Sequence, residues 1–122
     1  MGLDQYAFRI DAQTGEEGGE VAFQWRKHAK LQAFMETLFE ERTGLSATDL
    51  NCGRLELTLE DIATLEQAVT GNDLPESPGG FFYGHQIQDE QAFTYQKQDL
   101  AFCAWARETL GQDAKVVYSC WW

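Results

Sequence analysis

Basic side chains are scarce in this sequence of 122 residues: nine lysines and arginines stand against 20 aspartates and glutamates, a formal net charge of −11. A field of this sign repels phosphates and anionic headgroups, which argues against direct nucleic-acid or membrane binding. The acidic residues are spread along the chain rather than gathered in a tail. Two interpretations stay open: a solvated acidic surface that keeps the protein soluble, or an acidic face that binds a protein partner with a basic face.

Cysteine, histidine and long apolar runs are also few. Three cysteines, and no N-terminal run resembling a signal peptide, favour reduced thiols and a cytoplasmic protein. No segment approaches the roughly 20 apolar residues that span a membrane. Two histidines exclude a histidine-rich metal centre, and no phosphate-binding loop, Cys-x-x-Cys or His-Glu-x-x-His motif occurs. We therefore predict no metal and no cofactor, and favour a non-enzymatic protein.

Regular hydrophobic periodicity is present along one domain, 1–122. Alternation predicts strands over 3–11, 20–26, 52–57 and 114–122. Helical spacing predicts helices from about 28, from 59 and over about 98–110, while 89–95 stays ambiguous. This order favours an α+β fold: a mainly antiparallel sheet of about four strands, with three helices packed mostly on one face. We expect the terminal strands to pair near the centre of the sheet.

Local signals at helix ends support these assignments. Thr58 has the position of an N-cap, and Asp61 at the third helical position favours the positive end of the helix dipole. Glycines at the predicted helix ends are typical terminators. They are Gly44, Gly71 and Gly111.

The stretch 25–30 concentrates basic side chains beside an aromatic one where a strand passes into a helix. Arg26 offers a bidentate fork for a phosphate or carboxylate, and the helix start offers N–H donors. The same cluster can instead bind acidic side chains of its own chain, which is at least as common in so acidic a protein. Trp25 fits strand packing better than a stacking platform, and Trp121 is left undecided between core and contact surface.

Cysteine chemistry is weakly indicated. Cys52 lies at a junction between loop and strand, where a nearby histidine would activate a thiolate, but a lone cysteine of this kind is more often a small buried side chain. A pocket formed by 25–28, 51–52 and 81–85 is therefore the alternative hypothesis, as a small enzyme or an anion- or ligand-binding domain. There Arg26 would hold an anionic group, and His28 or His85 would transfer a proton.

The chain resembles a family of small uncharacterised phage and bacterial proteins. The resemblance rests on Met1-Gly2-Leu3-Asp4-x-Tyr6, Trp25-Arg26-Lys27-His28, Asn51-Cys52, the helix start at 59–62, and Gly80-Phe81-Phe82-Tyr83-Gly84. It implies a phage or prophage accessory protein, and it groups several residues as one candidate ligand-binding cluster. Asp4 pairing with Arg26 or His28 across the first two strands would explain much of it structurally. With Cys52 added, the candidates are Asp4, Tyr6, Trp25, Arg26, His28, Asn51, Cys52 and His85.

The leading functional hypothesis is therefore an acidic cytoplasmic protein, monomer or homodimer, that acts by binding a macromolecular partner. The net charge, the lack of a catalytic motif and the resemblance motivate it.

Overall fold

A computed structural model describes residues 2–11, 21–76 and 87–122. In this part of the chain four strands form one antiparallel sheet in the order β2-β1-β4-β3. The strands are β1 (Asp4–Asp11), β2 (Phe23–Arg26), β3 (Arg54–Leu57) and β4 (Ala114–Trp121). The first and last strands occupy the two central positions, which confirms the predicted pairing of the terminal strands.

Three α-helices complete the described fold, together with a short 3₁₀ helix over Ala47–Leu50 that the periodicity did not indicate. The α-helices are α1 (Ala29–Thr43), α2 (Leu59–Thr70) and α3 (Gln88–Leu110). The predicted α+β class is confirmed. No helix in the described ranges is both long and apolar enough to cross a membrane.

The two faces of the sheet differ in what covers them. Gln5, Trp25 and Tyr118 lie on the face that α1 and α3 cover, and each is at most 1 % exposed. Because strand residues alternate between faces, Tyr6 and Phe8 lie on the opposite face, where they are half-buried. The core therefore sits between the helices and one face of the sheet.

Helix α1 begins one residue after the predicted position and ends where expected. Leu31, Met35 and Phe39 of its apolar stripe enter the core, while Phe34 and Leu38 are half-buried at its side. The cap residue after α1 has φ of 73°, a left-handed conformation that glycine adopts without steric cost, and Gly44 occupies it.

The N-terminus of α2 forms the predicted cap. The Thr58 hydroxyl accepts from the Asp61 N–H at 3.1 Å, and the Asp61 carboxylate accepts from the Thr58 N–H at 2.9 Å. These reciprocal bonds are a capping box, which satisfies backbone donors that the helix itself leaves unpaired. Both oxygens of the same Asp61 carboxylate accept from Arg42 Nη2, at 2.9 and 2.8 Å, which ties α2 to α1.

We expect Thr58→Ala to lower the free energy of unfolding by about 1 kcal/mol, since it removes the acceptor for the Asp61 N–H. Thr58→Ser keeps the hydroxyl and should stay within about 0.5 kcal/mol of wild type. Urea unfolding followed by tryptophan fluorescence measures both. Equal losses in the two variants would contradict the cap assignment.

The predicted start of α3 was wrong: the helix begins at Gln88, ten residues earlier, and absorbs the ambiguous stretch. Its first turns carry few apolar side chains, and Phe93 is 82 % exposed, so no apolar stripe was visible there. Asp89 and Glu90 in the first turn instead favour a helix start through the dipole. Its end, followed by Gly111, lies where predicted.

The strand predicted over 52–57 begins two residues later than expected. Cys52 has φ of 62° and its N–H donates to the Cys120 carbonyl at 2.8 Å, while the Gly53 N–H donates back to the Leu50 carbonyl. These bonds form a turn before β3. The 12–20 loop and the segment 77–86, which includes His85, lie outside the described residues.

Candidate functional site

Trp25 and His28 meet at a buried carboxylate that the sequence analysis did not select. Asp99 of α3 accepts from Trp25 Nε1 at 2.8 Å through one oxygen, and lies 2.8 Å from His28 Nε2 through the other. All three residues are at most 1 % exposed. An ionised carboxylate is acceptor-only, so in that form Asp99 accepts from an N–H on His28 Nε2. The His28 ring also stacks on Tyr95, with centroids 5.3 Å apart.

Glutamine side chains extend this network across the sheet. Gln5 accepts from the His28 N–H at 2.9 Å and donates to the His28 carbonyl at 3.1 Å. Gln5 also donates to the Tyr118 hydroxyl, which in turn donates to Gln32 of α1. We call Gln5, Trp25, His28, Gln32, Asp99 and Tyr118 the Asp99 network. It fixes the entry into α1 and the packing of α3 on the sheet.

Nothing in the Asp99 network opens to solvent. His28 is 0 % exposed, and its Nδ1 has no hydrogen-bond partner among the described residues. A proton-transferring histidine needs a substrate within hydrogen-bond reach. The geometry thus gives His28 and Trp25 a structural role, as the polar centre of the core.

Two of the three thiols are buried, and so is Tyr118. Burial raises the pKa of Cys103 and the pKa of Cys120, each to about 12. It also raises the pKa of Tyr118 well above its ordinary value. Because the thiolate is the reactive form, Cys103 and Cys120 are inert packing residues at neutral pH.

Cys52 is exposed, and the contact that accompanies it is a weak one from its Sγ to Asn51 Oδ1 at 3.7 Å. Asn51 is otherwise occupied: its Oδ1 accepts from the Trp122 N–H at 3.1 Å, and its amide donates to the Trp122 carbonyl. His28 is enclosed in the core, so it does not present a base to Cys52. Asn51 thus holds the end of β4.

Asp4 and Arg26 are direct cross-strand neighbours, as the hypothesis of a pairing across β1 and β2 required. Their side chains form no ion pair within the described chain, and His28 pairs with Asp99 instead. Both line a cavity of about 390 Å³ together with Gly2, Trp121 and Trp122. We call these five residues the Arg26 pocket. Trp121 is 62 % exposed, so it belongs to this surface rather than to the core.

The basic stretch is thus divided among different partners. Lys30 pairs with Asp89 of α3 at 2.7 Å, His28 with Asp99, and Arg26 faces the pocket. Tyr6 lies two residues along β1 from Asp4, on the same open face. The structure therefore divides the candidates between a buried network and one end of the sheet, and His85 lies outside the described residues.

A groove of about 570 Å³ lies between α1 and α2, and no sequence motif indicates it. Phe34 and Leu38 form an apolar floor, and the groove continues past Thr64 and Pro75 toward Ala68. Carboxylates line its rim, namely Glu41, Glu60, Asp61 and Asp73. Among the described residues that line the groove, the one cationic side chain is that of Arg42, which Asp61 binds. We call this the α1–α2 groove.

In the described part of the chain, no three His, Cys, Asp or Glu side chains are grouped so that they could hold a metal ion. No protein-family model matches the chain, and neither a curated protein nor a solved structure is detectably similar to it.

Proposed function

We propose that this is a non-enzymatic binding protein whose α1–α2 groove holds a basic, amphipathic helical segment of a partner protein. The observation that carries the proposal is an apolar floor beside three rim carboxylates, Glu41, Glu60 and Asp73, that have no ion-pair partner among the described residues. Such a groove complements a helix that presents apolar side chains on one face and lysines or arginines beside it.

The floor supplies the apolar contact. Phe34 and Leu38 project sideways from α1 and are half-buried beside the core rather than inside it. A partner that covers these side chains removes apolar surface from water, which is the main favourable term in most protein association.

The rim supplies the selection for charge. Glu41, Glu60 and Asp73 are exposed, and among the described residues none of their side chains has an ion-pair partner. The overall charge of −11 adds a field that speeds the approach of a cationic partner and repels an anionic one. Complementary charge of this kind determines specificity and association rate more than affinity.

The setting that we propose is the cytoplasm of a bacterial cell, with the protein acting as a phage or prophage accessory factor. The resemblance in its sequence motifs supports the phage origin. The cysteines Cys52, Cys103 and Cys120 are all free thiols, which fits a reducing compartment.

The test is binding of a fluorescent synthetic helix with leucine and lysine at i, i+4 spacing, measured by anisotropy. We expect Glu41→Lys/Glu60→Lys to weaken binding of this helix about tenfold. Reversing two exposed charges against a cationic helix should cost about 1.4 kcal/mol of binding free energy, which is a tenfold change in the dissociation constant. Higher salt should weaken wild-type binding by screening the same charges.

The matched control is Glu90→Lys/Glu108→Lys on α3. It makes the same change in net charge, with one substitution in a first helical turn and one in a last turn, as in the groove variant. Binding within about twofold of wild type is expected for the control. Equal weakening by both variants would show that net charge alone binds the peptide, and would overturn the groove as the site.

The same variants apply to the natural partner. We expect the wild type and the α3 control to retain a protein from cell lysate that the groove variant does not retain. If the groove variant retains every protein that the wild type does, the proposal is wrong.

A further inference from the structure

The Arg26 pocket lies at the end of the sheet where β1 begins and where β2 and β4 end. Asp4 is directly paired with Arg26 on one side and with Trp121 on the other. Because directly paired residues of an antiparallel sheet project to the same face, the three side chains form one row. That row lies on the face that the helices leave open.

The two charged side chains of this row, those of Asp4 and Arg26, are not engaged in ion pairs with other described residues. Arg26 is fixed through its backbone, whose N–H donates to the Tyr95 hydroxyl at 3.0 Å and whose carbonyl accepts from Gln91. Neither the Arg26 guanidinium nor the Asp4 carboxylate has an ion-pair partner within the described ranges. Helix α3 thus holds the end of β2 in place through the Arg26 backbone, while the Arg26 guanidinium stays available to a ligand.

The aromatic walls complete the pocket. Trp121 is 62 % exposed, and Trp122 is half-buried with its backbone held by the Asn51 side chain. A cavity of about 390 Å³ falls within the range of small-molecule sites, which combine apolar walls with a few placed polar groups.

We infer that the Arg26 pocket binds a small zwitterion with an aromatic side chain, of the free α-amino acid class. Arg26 binds the carboxylate of the ligand, Asp4 accepts from its ammonium group, and Trp121 stacks on its ring. Adjacent strands lie about 4.8 Å apart, so the Arg26 and Asp4 side chains start close together. The carboxylate and ammonium groups of an α-amino acid are separated by a single carbon atom, so one ligand can contact both side chains.

Charge separates this ligand from its competitors. A plain anion or a nucleotide would meet the Asp4 carboxylate and the overall charge of −11, and a plain cation would meet Arg26. A zwitterion carries no net charge, so the long-range field does not repel it. It satisfies both side chains at once.

The test is titration with L-phenylalanine, which does not absorb where tryptophan is excited at the red edge of its spectrum. Intrinsic tryptophan fluorescence, to which the exposed Trp121 contributes, reports binding. Phenethylamine lacks the carboxylate, phenylpropionate lacks the ammonium group and glycine lacks the ring. We expect each analogue to bind at least about tenfold more weakly, because each loses one charge-assisted bond or the stacking contact.

Variants assign each charge to its side chain. Arg26→Gln should weaken phenylalanine at least about tenfold and leave phenethylamine within about twofold. Asp4→Asn should weaken the binding of phenylalanine. The binding of phenylpropionate, which has no ammonium group, should be unchanged or tighter. Lys97→Gln, an exposed cation on α3, is the matched control and should behave as wild type. Circular dichroism verifies that each variant is folded.

Three outcomes would overturn the inference. They are no fluorescence change up to about 10 mM phenylalanine, a concentration beyond any functional affinity; equal binding of phenethylamine and phenylalanine; and tighter binding of adenosine monophosphate than of phenylalanine, which would assign a nucleotide instead. The groove variant Glu41→Lys/Glu60→Lys should bind phenylalanine normally, so failure of this inference leaves the proposed function intact.

Discussion

Replacing Asp99 by alanine should lower the free energy of unfolding by about 3–5 kcal/mol, because it leaves two buried donors without an acceptor. The Trp25 indole N–H and the His28 Nε2–H both donate to this carboxylate, and neither side chain reaches water. Small domains have only about 5–15 kcal/mol of stability in total. This one substitution would therefore remove a large part of it.

Asp99→Asn is the matched control for this experiment. Its carbonyl oxygen can still accept from Trp25, and its amide can donate to His28 Nε2 if the histidine proton moves to Nδ1. We expect a loss of only about 1–2 kcal/mol, since both hydrogen bonds survive with a change of tautomer. Urea unfolding gives the free energies, and nitrogen NMR shifts of His28 report the tautomer. Equal losses in the two variants would contradict the network as the source of stability.

Sequence reasoning succeeded where the signal is local. The start of α2 follows from Thr58 and Asp61, three residues apart, because their side chains bond to each other's backbone whatever the rest of the chain does. The left-handed cap of α1 likewise needs only Gly44. Alternation predicted all four strands, and the expected pairing of the terminal strands is the one between β1 and β4 at the centre of the sheet.

The buried network was out of reach because its contacts join distant residues. Trp25 and Asp99 are 74 positions apart, and Gln5 and Tyr118 are 113 apart. Glutamine and aspartate, the residue types of Gln5 and Asp99, are found mostly on protein surfaces, and aspartate is rarely buried unless it is paired. Only the fold shows that each meets its partner, so the sequence could not separate Asp99 from the other acidic residues.

The fold separates the candidate residues for a physical reason. The pairing of β1 with β2 brought Asp4 beside Arg26, as expected from adjacent strands. The same alternation sends Trp25 to the opposite face from Arg26. Residues adjacent in sequence were therefore divided between the core and the open face, and the pocket was completed by Trp121 from the far end of the chain.

The second large effect expected is a loss of stability in alkali. Burial raises the pKa of Cys103 and of Cys120 from 9.0 to about 12, and the pKa of Tyr118 above 10.0. Above pH 9 the unfolded chain releases these thiol protons while the folded chain keeps them. The unfolded state then binds fewer protons, so stability falls as pH rises, by about 1.4 kcal/mol per pH unit for each group.

The two thiols together should thus remove about 5 kcal/mol between pH 9 and pH 11, and Tyr118 should add to this above pH 10. Urea unfolding from pH 8 to pH 11 in the presence of a reductant measures the slope. Cys103→Ala should remove about half of the thiol contribution, and Cys103→Ala/Cys120→Ala nearly all of it. Cys52→Ala, which removes the exposed thiol, should leave the slope unchanged. An alkaline slope that persists undiminished in the double variant would mean that buried thiols do not limit the fold at high pH.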